Sequence, residues 1–360
     1  MPTLLDRVPH SVRASGLRAM YGLPYRVRRL IAGPPLRLDG LELALDAQLL
    51  LRANELANLP PLSAGAPQQA RAYLKENSKL VLGPRIEPVD TRDIRIPVDG
   101  DEIGARLYVP TGLPTGSPLL VYFHGGGFVV GDIESHDNTC RFLARHGRVR
   151  VLSVDYRLAP EHPFPVPVDD ALAAFRFAHA NSRELGANPN GIAVGGDSAG
   201  GNLATVVCQV TATEGGPKPV FQLLFYPATD ATRSTRSKEL FGKGLFLTQD
   251  DIDWFMGHYA TREEDKRDPR YSPLLAEDLA GQPPAYLATA GFDPLRDEGE
   301  TYADRLRAAG VPVVLSRQAD LIHGYVNFLG IGNRFREALF EAAGALRAAL
   351  EITVRESVAK

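Results

Sequence analysis

One serine of this chain lies in a segment with the pattern G-x-S-x-G. Residues 196–200 read Gly-Asp-Ser-Ala-Gly, between an apolar run and a stretch with the apolar spacing of a helix. A strained turn from strand to helix lifts a serine hydroxyl out of a sheet, and flanking glycines leave room for that turn. Since a serine hydroxyl is a weak nucleophile on its own, it needs a base and an acid beside it. We therefore predict that Ser198 is a nucleophile with two partners.

The expected partners are an imidazole and a carboxylate. Of the eight histidines, only His323 follows the last predicted strand, and sites in open parallel sheets form at the carboxyl ends of strands. Asp293 directly follows the strand before it. Asp297, one helical turn later, is the alternative carboxylate. We predict that Asp293 orients His323 and that His323 takes the proton of Ser198.

Three consecutive glycines follow an earlier strand, in residues 124–128, which read His-Gly-Gly-Gly-Phe. Because glycine has no Cβ atom, its amide can approach the oxyanion that develops during acyl transfer. We favour Gly126 and Gly127, and we expect His124 to shape the loop through hydrogen bonds. A phosphate cradle is not indicated, because the chain contains neither G-x-x-x-x-G-K-[ST] nor G-x-G-x-x-G. The full set of predicted oxyanion donors is the amides of Gly125, Gly126, Gly127 and Ala199.

The elements that must position these residues are short apolar runs that alternate with helical stretches. Before the first run, residues 94–96 and 105–109 have the two-residue period of a hairpin around a turn at residues 99–101. This alternation predicts an α/β fold with a mostly parallel central sheet, helices on both faces and an antiparallel edge. The apolar runs are residues 119–123, 149–154, 192–194, 223–225, 286–290 and 311–315.

The N-terminal part is predicted to be mainly helical up to about residue 85. Residues 1–37 contain seven arginines, no lysine and one acidic residue, Asp6. We expect an ordinary packed segment with a solvated arginine face, and contact with an anionic lipid surface is the alternative. Apolar spacing predicts two short amphipathic helices, broken near residues 22–24, that carry Leu17, Met20, Tyr21, Val27, Leu30 and Ile31.

The composition excludes several other classes of protein. With 44% hydrophobic and 23% charged residues, the 360-residue chain has the composition of a soluble globular enzyme. A formal charge of −3 gives no overall basic field for nucleic acid. Cys140 and Cys208 are too few for a disulfide framework or a zinc cluster, and we expect both to be buried. No apolar run of 18 residues occurs and no signal-peptide pattern opens the chain, so we expect a cytoplasmic protein.

Taken together, five segments resemble the bacterial hormone-sensitive-lipase-like esterases, family IV of the α/β-hydrolase superfamily, in its GDSAG subgroup. The resemblance extends over roughly residues 85–350, and the segments occur in the order of that family. They are residues 124–128, residues 155–161 (Asp-Tyr-Arg-Leu-Ala-Pro-Glu), residues 196–204, residues 293–298 and residues 323–324.

The resemblance implies an α/β-hydrolase fold with a helical cap. It divides the chain into a cap segment, residues 1–85, and a catalytic domain, residues 86–360, with about residues 235–262 adding to the cap. It also implies hydrolysis of short- to medium-chain carboxylic esters through an acyl-enzyme, without metal or cofactor. Ser198, His323 and Asp293 would form the triad, and residues 155–161 would support the oxyanion loop.

Two other functions remain open at the level of sequence. An amidase or another acyl-transfer enzyme can use the same triad. A catalytically silent small-molecule receptor can share the fold, because a fold does not fix a function. The expected partner is a small-molecule ester, with no nucleic acid, and the chain could be a monomer or a homodimer.

Overall fold

The computed structural model describes residues 10–359, and the side chains of residues 10–353. Two sheets are present in this part of the chain, a short ribbon near the N-terminus and a large central sheet. The ribbon consists of β1 (Arg37–Leu38) and β2 (Leu41–Glu42). The central sheet consists of β3 (Val89–Val98), β4 (Asp101–Pro110), β5 (Ser117–Phe123), β6 (Arg150–Asp155), β7 (Ala187–Asp197), β8 (Gln222–Phe225), β9 (Ala285–Phe292) and β10 (Val313–Ile322).

The strand order of the central sheet is β10-β9-β8-β7-β5-β6-β4-β3. Strand β4 pairs antiparallel with β3 and with β6, whereas all other neighbours pair in parallel. This arrangement confirms the predicted mostly parallel sheet with an antiparallel edge. Because β5, β7 and β9 run in the same direction, their carboxyl ends lie at one edge of the sheet, where the predicted site residues follow them.

Helices cover both faces of this sheet. Successive residues of β5 point to opposite faces, so Val121 packs in one core and Leu120 in the other. Cys208 and Cys140 are buried in these two cores, as predicted. The helices are α1 (His10–Tyr21), α2 (Tyr25–Ala32), α3 (Leu45–Leu56), α4 (Pro67–Leu82), α5 (Asp137–Gly147), α6 (Val166–Ala180), α7 (Ala199–Glu214), α8 (Arg236–Phe241), α9 (Gln249–Tyr259), α10 (Arg296–Ala308) and α11 (Arg334–Ala359).

The N-terminal helices dock on the sheet domain through a close backbone contact. A Cβ atom at Gly83, directly after α4, would overlap the backbone of Gly330. The amide of Gly330 also donates a hydrogen bond to the carbonyl of Val81 at 2.7 Å. Glycine at both positions therefore lets the end of α4 touch the loop between β10 and α11.

The predicted break between the first two helices is present, since α1 ends at Tyr21 and α2 begins at Tyr25. The predicted solvated arginine face is wrong for two of the arginines. Arg28 pairs with Asp46 at 2.8 Å and Arg29 donates to Gln48 at 2.9 Å, and both partners belong to α3. The acceptors on α3 turn these arginines inward.

Candidate active site

Ser198 lies at the turn between β7 and α7, which begins at Ala199. Its backbone has φ 55° and ψ −118°, a conformation that a non-glycine residue rarely adopts. A Cβ atom at Gly200 would overlap the carbonyl oxygen of Phe123, the last residue of β5. The glycine is thus required for the helix to start this close to the sheet, and the strained turn holds the serine at the carboxyl edge.

His323 and Asp293 form one hydrogen-bonded chain with this serine. The Nε2 atom of His323 lies 3.0 Å from Ser198 Oγ, and its Nδ1 atom lies 2.7 Å from Asp293 Oδ2. Asp293 is fully buried, and its other oxygen accepts a hydrogen bond from the amide of Leu295 at 2.8 Å. The structure therefore brings together the three residues predicted from the strand ends.

The alternative carboxylate, Asp297, has different partners. Its Oδ2 atom accepts a hydrogen bond from the amide of Ser237 at 2.8 Å, and its Oδ1 atom accepts one from Arg296 at 2.9 Å. Asp297 therefore ties the start of α10 to α8, whereas Asp293 contacts the imidazole of His323.

The glycine loop after β5 presents only part of the predicted donor set. The amide of Gly125 donates to Asp197 Oδ1 at 3.0 Å, so it is not available to a substrate oxygen. Within residues 10–353, the amides of Gly126, Gly127 and Ala199 donate no hydrogen bond. Gly126 and Gly127 have φ values of +121° and +59°, which favour glycine. The candidate donors to a substrate oxyanion are therefore the amides of Gly126, Gly127 and Ala199.

Asp197 is the centre of a buried polar cluster that the sequence analysis missed. Besides the amide of Gly125, its Oδ1 atom accepts a hydrogen bond from the hydroxyl of Tyr122 at 2.8 Å. The Nε2 atom of His136 lies 3.3 Å from Oδ1, and Asn327 Nδ2 lies 3.4 Å from Oδ2. Burial opposes ionisation of Asp197, but His136 and the hydrogen bonds hold its pKa below the usual value.

This cluster joins the glycine loop, the serine turn and the loop after β10. His136 precedes α5 and does not follow a strand, so a search at strand ends could not find it. Asn327 lies four residues after His323, in a short 3₁₀ turn. Asp197, the acid beside the nucleophile, is the sequence feature that could have indicated this cluster, because a buried carboxylate requires hydrogen-bond partners.

His124 and Tyr156 support the glycine loop from behind. The Nδ1 atom of His124 lies 2.8 Å from the carbonyl oxygen of Gly125, and its ring stacks on Tyr156 with centroids 4.3 Å apart. Tyr156 donates a hydrogen bond to the carbonyl of His124 at 2.8 Å. Burial and the neighbouring His136 lower the pKa of His124 to about 4, so its ring is neutral near pH 7. The predicted structural role of His124 is confirmed.

Arg71 of α4 ties the N-terminal helices to the same loop. Its guanidinium donates to the carbonyl of Val129 at 2.8 Å and to the carbonyl of Ala159 at 2.7 Å. It also pairs with Glu161 at 2.6 Å. Residues 155–161 are therefore fixed between the glycine loop and α4.

A cavity of about 1100 Å³ lies above Ser198. Its volume is slightly above the usual range for small-molecule sites, roughly 300–1,000 Å³. Its wall is mainly apolar and comes from the N-terminal helices and from the segment around α9. The side chains that define it include Leu51, Leu62, Leu74, Leu245, Ile252 and Phe255.

The described residues contain neither a cluster of metal ligands nor a helix that could span a membrane. No group of three His, Cys, Asp or Glu side chains there is arranged to hold a metal ion. None of the helices between residues 10 and 359 has both the length and the apolar composition that crossing a membrane requires.

The sequence profile of a family described as alpha/beta hydrolase fold matches residues 120–327. This range includes Ser198, Asp293, His323 and the glycine loop. This chain belongs to the alpha/beta hydrolase family.

Relatives of this hydrolase are named as carboxylic ester hydrolases. The carboxylic ester hydrolase LipN of Mycobacterium tuberculosis is 46% identical over 352 residues, which cover 96% of this chain and 93% of LipN. Among solved structures, the ester hydrolase EH1AB1 from the Lake Arreo metagenome has a TM-score of 0.82 at 42% identity, covering 85% of this chain and 98% of its own.

The thermostable carboxylesterase EstE1, cloned from a metagenomic library, has a TM-score of 0.77 at 45% identity, covering 80% of this chain and 98% of its own. With named relatives at these identities over most of the chain, the resemblance to hormone-sensitive-lipase-like esterases is confirmed. The chain is a carboxylic ester hydrolase of that group.

Proposed function

We propose that this hydrolase cleaves short- to medium-chain carboxylic esters through an acyl-enzyme on Ser198, with His323 as base and Asp293 as orienting acid. The observation that carries the proposal is the continuous hydrogen-bonded chain from Asp293 through His323 to Ser198 beneath an apolar cavity. A nucleophile, a base and an orienting carboxylate within hydrogen-bond reach are what acyl transfer by a serine requires.

In the first step, Ser198 Oγ attacks the ester carbonyl carbon while His323 Nε2 takes the hydroxyl proton. The 3.0 Å separation of these two atoms supports a direct transfer. Asp293 accepts a hydrogen bond from Nδ1–H, which fixes the tautomer with Nε2 free and stabilises the imidazolium. Collapse of the tetrahedral intermediate breaks the bond to the alcohol, and His323 returns the proton to the departing oxygen.

In the second step, water attacks the acyl-enzyme while His323 takes one of its protons. The bond between Ser198 Oγ and the acyl carbon then breaks, Oγ regains the proton, and the carboxylic acid leaves. In both steps the amides of Gly126, Gly127 and Ala199 would donate to the oxyanion. Ala199 is the first residue of α7, so the positive end of that helix dipole adds to the stabilisation.

We also propose that residues 1–85, of which residues 1–9 lie outside the described part of the chain, and about residues 235–262 form a cap over the catalytic domain, residues 86–360. Two contacts support this division. The first joins the two segments of the cap, and the second joins the cap to the glycine loop. The amide of Ser63 donates to Asp251 Oδ1 of α9 at 3.2 Å. The ring of Phe255, also in α9, lies where a Cβ atom of Gly127 would be. The cap would hold the acyl chain and exclude water from the serine.

The apolar wall favours acyl chains without selecting one length sharply. An apolar pocket discriminates by about 1–3 kcal/mol per methylene, and a cavity of about 1100 Å³ accommodates several chain lengths. The proposed substrates are therefore a range of esters with short to medium acyl groups.

The test is steady-state hydrolysis of p-nitrophenyl esters from acetate to palmitate, with Ser198→Ala beside the wild type. We expect a maximum at short or medium chains that disappears in Ser198→Ala. Ser78→Ala is the matched control, because Ser78 also lines the cavity but its hydroxyl donates to the carbonyl of Lys75 and not to a residue of the proposed triad. Activity of Ser198→Ala equal to that of the wild type would disprove the assignment. Hydrolysis of an anilide but no ester would favour the amidase.

A further inference from the structure

Helix α2 partly reverses the usual arrangement of polar and apolar side chains, because two arginines face the protein beside the half-buried Ile31 and the buried Ala32. Arg28 and Arg29 point toward α3, where they pair with Asp46 and Gln48. Leu30, in contrast, is 82% exposed. A surface helix of a water-soluble protein normally turns its apolar stripe toward the core and its charges toward water. The reversal leaves an apolar surface that water does not stabilise.

We call these outward side chains the outer face of α2: Arg26, Val27 and Leu30 of the helix, together with Leu23, which lies two residues before the helix begins. Val27 and Leu30 are three residues apart in α2, so they lie on one face of the helix. Exposed apolar side chains are concentrated in this part of the molecule. Of the ten large hydrophobic side chains exposed in the described residues, five lie between residues 12 and 30: Val12, Leu23, Tyr25, Val27 and Leu30.

The charge of the same segment is of one sign. Residues 10–36 contain five arginines and no acidic residue. Arg28 is neutralised by Asp46. Arg26, on the outer face of α2, and Arg18, at the end of α1, are exposed, and neither has an ion-pair partner within residues 10–353. An apolar stripe with free arginines beside it is complementary to the headgroup region of an anionic bilayer.

The cavity above Ser198 reaches the surface beside this stripe. Its wall includes Leu17 of α1, Ala32 of α2, and the exposed residues Pro34 and Pro35 that follow α2. A surface on which α2 rests would therefore lie next to an opening of the cavity.

We propose that the outer face of α2 docks on an anionic lipid surface, with its apolar stripe at the headgroup boundary and Arg18 and Arg26 at the lipid phosphates. In this position the Pro34 side of the cavity faces the membrane, and esters dissolved in the bilayer enter there. The docking stands on the geometry of α2 alone, whereas the entry of esters rests on the proposed function.

The test is co-sedimentation of the full chain with two kinds of vesicle, one of phosphatidylcholine alone and one of equal parts phosphatidylcholine and phosphatidylglycerol. The Ser198→Ala background avoids any turnover of lipid. We expect binding to the anionic vesicles that weakens as salt rises, because salt screens the arginines. Leu30→Ser and Val27→Ser should each lower the partition coefficient by roughly tenfold or more, from the loss of apolar burial.

Val314→Ser is the matched control, since Val314 is 59% exposed on β10, away from α2 in the chain. It should leave vesicle binding unchanged. Neither Leu30 nor Val27 lines the cavity, so their serine variants in the wild-type background should hydrolyse a soluble short ester within about twofold of wild type. This measurement also shows that the variants fold.

Absence of binding to the anionic vesicles at low salt would overturn the proposal. Equal loss of binding in Val314→Ser would also overturn it. A lipid-free dimer that Leu30→Ser converts to a monomer, measured by light scattering, would assign the outer face of α2 to a second copy of the chain. Failure of the wild type to hydrolyse any ester would reject the proposed function and leave the vesicle result standing.

Discussion

The catalytic centre and helix α2 use charged residues in opposite ways. At the centre, Asp293 and Asp197 are buried, and hydrogen bonds from His323, Tyr122 and backbone amides satisfy them. In α2, two arginine side chains form hydrogen bonds with α3, and the leucine and valine side chains face outward. The first arrangement is typical of an enzyme site and the second of a surface with a partner.

The difference shows where local pattern controls structure and where it does not. The serine turn depends on glycines a few residues away and on the strand that precedes it, so its geometry is encoded locally. The orientation of α2 depends on Asp46 and Gln48, more than a dozen residues later in the chain. Apolar periodicity predicts that α2 is a helix, but it does not predict which side faces the protein.

The largest expected effect is at the centre. Replacing Asp293 with Asn removes the acceptor that fixes the His323 tautomer, so kcat should fall by about 10⁴-fold. Asp297→Asn is the control, because Asp297 contacts α8 and not the imidazole, and it should keep most of the activity. Steady-state kinetics and circular dichroism of both variants check this pair. If both lose activity equally, Asp293 has no special role.

A smaller loss is expected in the oxyanion loop. A Cβ atom at Gly126 would overlap the carbonyl of Val130 at a φ of +121°, so Gly126→Ala should displace its amide and lower kcat/KM at least about 100-fold. Gly100 also has a positive φ, +71°, but open space around it. Gly100→Ala should cost about 1–2 kcal/mol of stability, the penalty of a Cβ atom in the left-handed region, and leave the kinetics unchanged. Equal kinetics in the two variants would contradict the loop assignment.

The pH dependence of stability gives a third measurement, on the buried His124 behind the glycine loop. The pKa of His124 is lowered to about 4, whereas an unfolded chain has a histidine pKa of about 6.5. Between these values the unfolded chain binds more protons, so the free energy of unfolding should fall by roughly 3 kcal/mol as pH decreases through this window. Urea unfolding at several pH values measures it. His124→Gln should flatten this slope, and an unchanged slope would contradict the assignment.

The parts of the molecule that could be predicted from sequence are those with short-range causes. The antiparallel hairpin and the parallel strands follow from periodicity, and Ser198, His323 and Asp293 follow from their positions after strands. The polar cluster could not be predicted this way. His136 and Asn327 meet Asp197 only after distant loops converge, and neither lies in a recognisable pattern.

Gly125 was predicted as an oxyanion donor because glycines in a row look alike in sequence. The structure distinguishes Gly125 from Gly126 and Gly127, because the amide of Gly125 donates a hydrogen bond to Asp197. The inward direction of the two arginines of α2 could not be predicted for a similar reason. It depends on the position of their acceptors on α3, which only the fold determines.

The N-terminal segment should respond more weakly than the centre. Arg28→Met leaves the largely buried Asp46 without its ion pair, so the free energy of unfolding should fall by about 1–2 kcal/mol. Arg37→Met is the control, because the Arg37–Glu42 pair is exposed, and its effect should stay within about 0.5 kcal/mol. Denaturant unfolding measures both. If Arg28→Met matches Arg37→Met, the inward pairing does not stabilise α2.

The smallest effect in water is expected for Leu30→Ser. Because Leu30 is 82% exposed, its removal should change the free energy of unfolding by no more than about 0.5 kcal/mol. Thermal unfolding without lipid measures it. A loss of 2 kcal/mol or more, on the scale of burying a leucine, would mean that Leu30 packs against the protein.

The most direct test of the catalytic assignment is covalent labelling with a fluorophosphonate, followed by peptide mass spectrometry. The account predicts a single adduct on Ser198 in the wild type. It also predicts no adduct in His323→Asn, because without the imidazole 3.0 Å from Oγ the hydroxyl is not activated. Labelling of a different serine, or equal labelling of Ser198 in both proteins, would contradict the account.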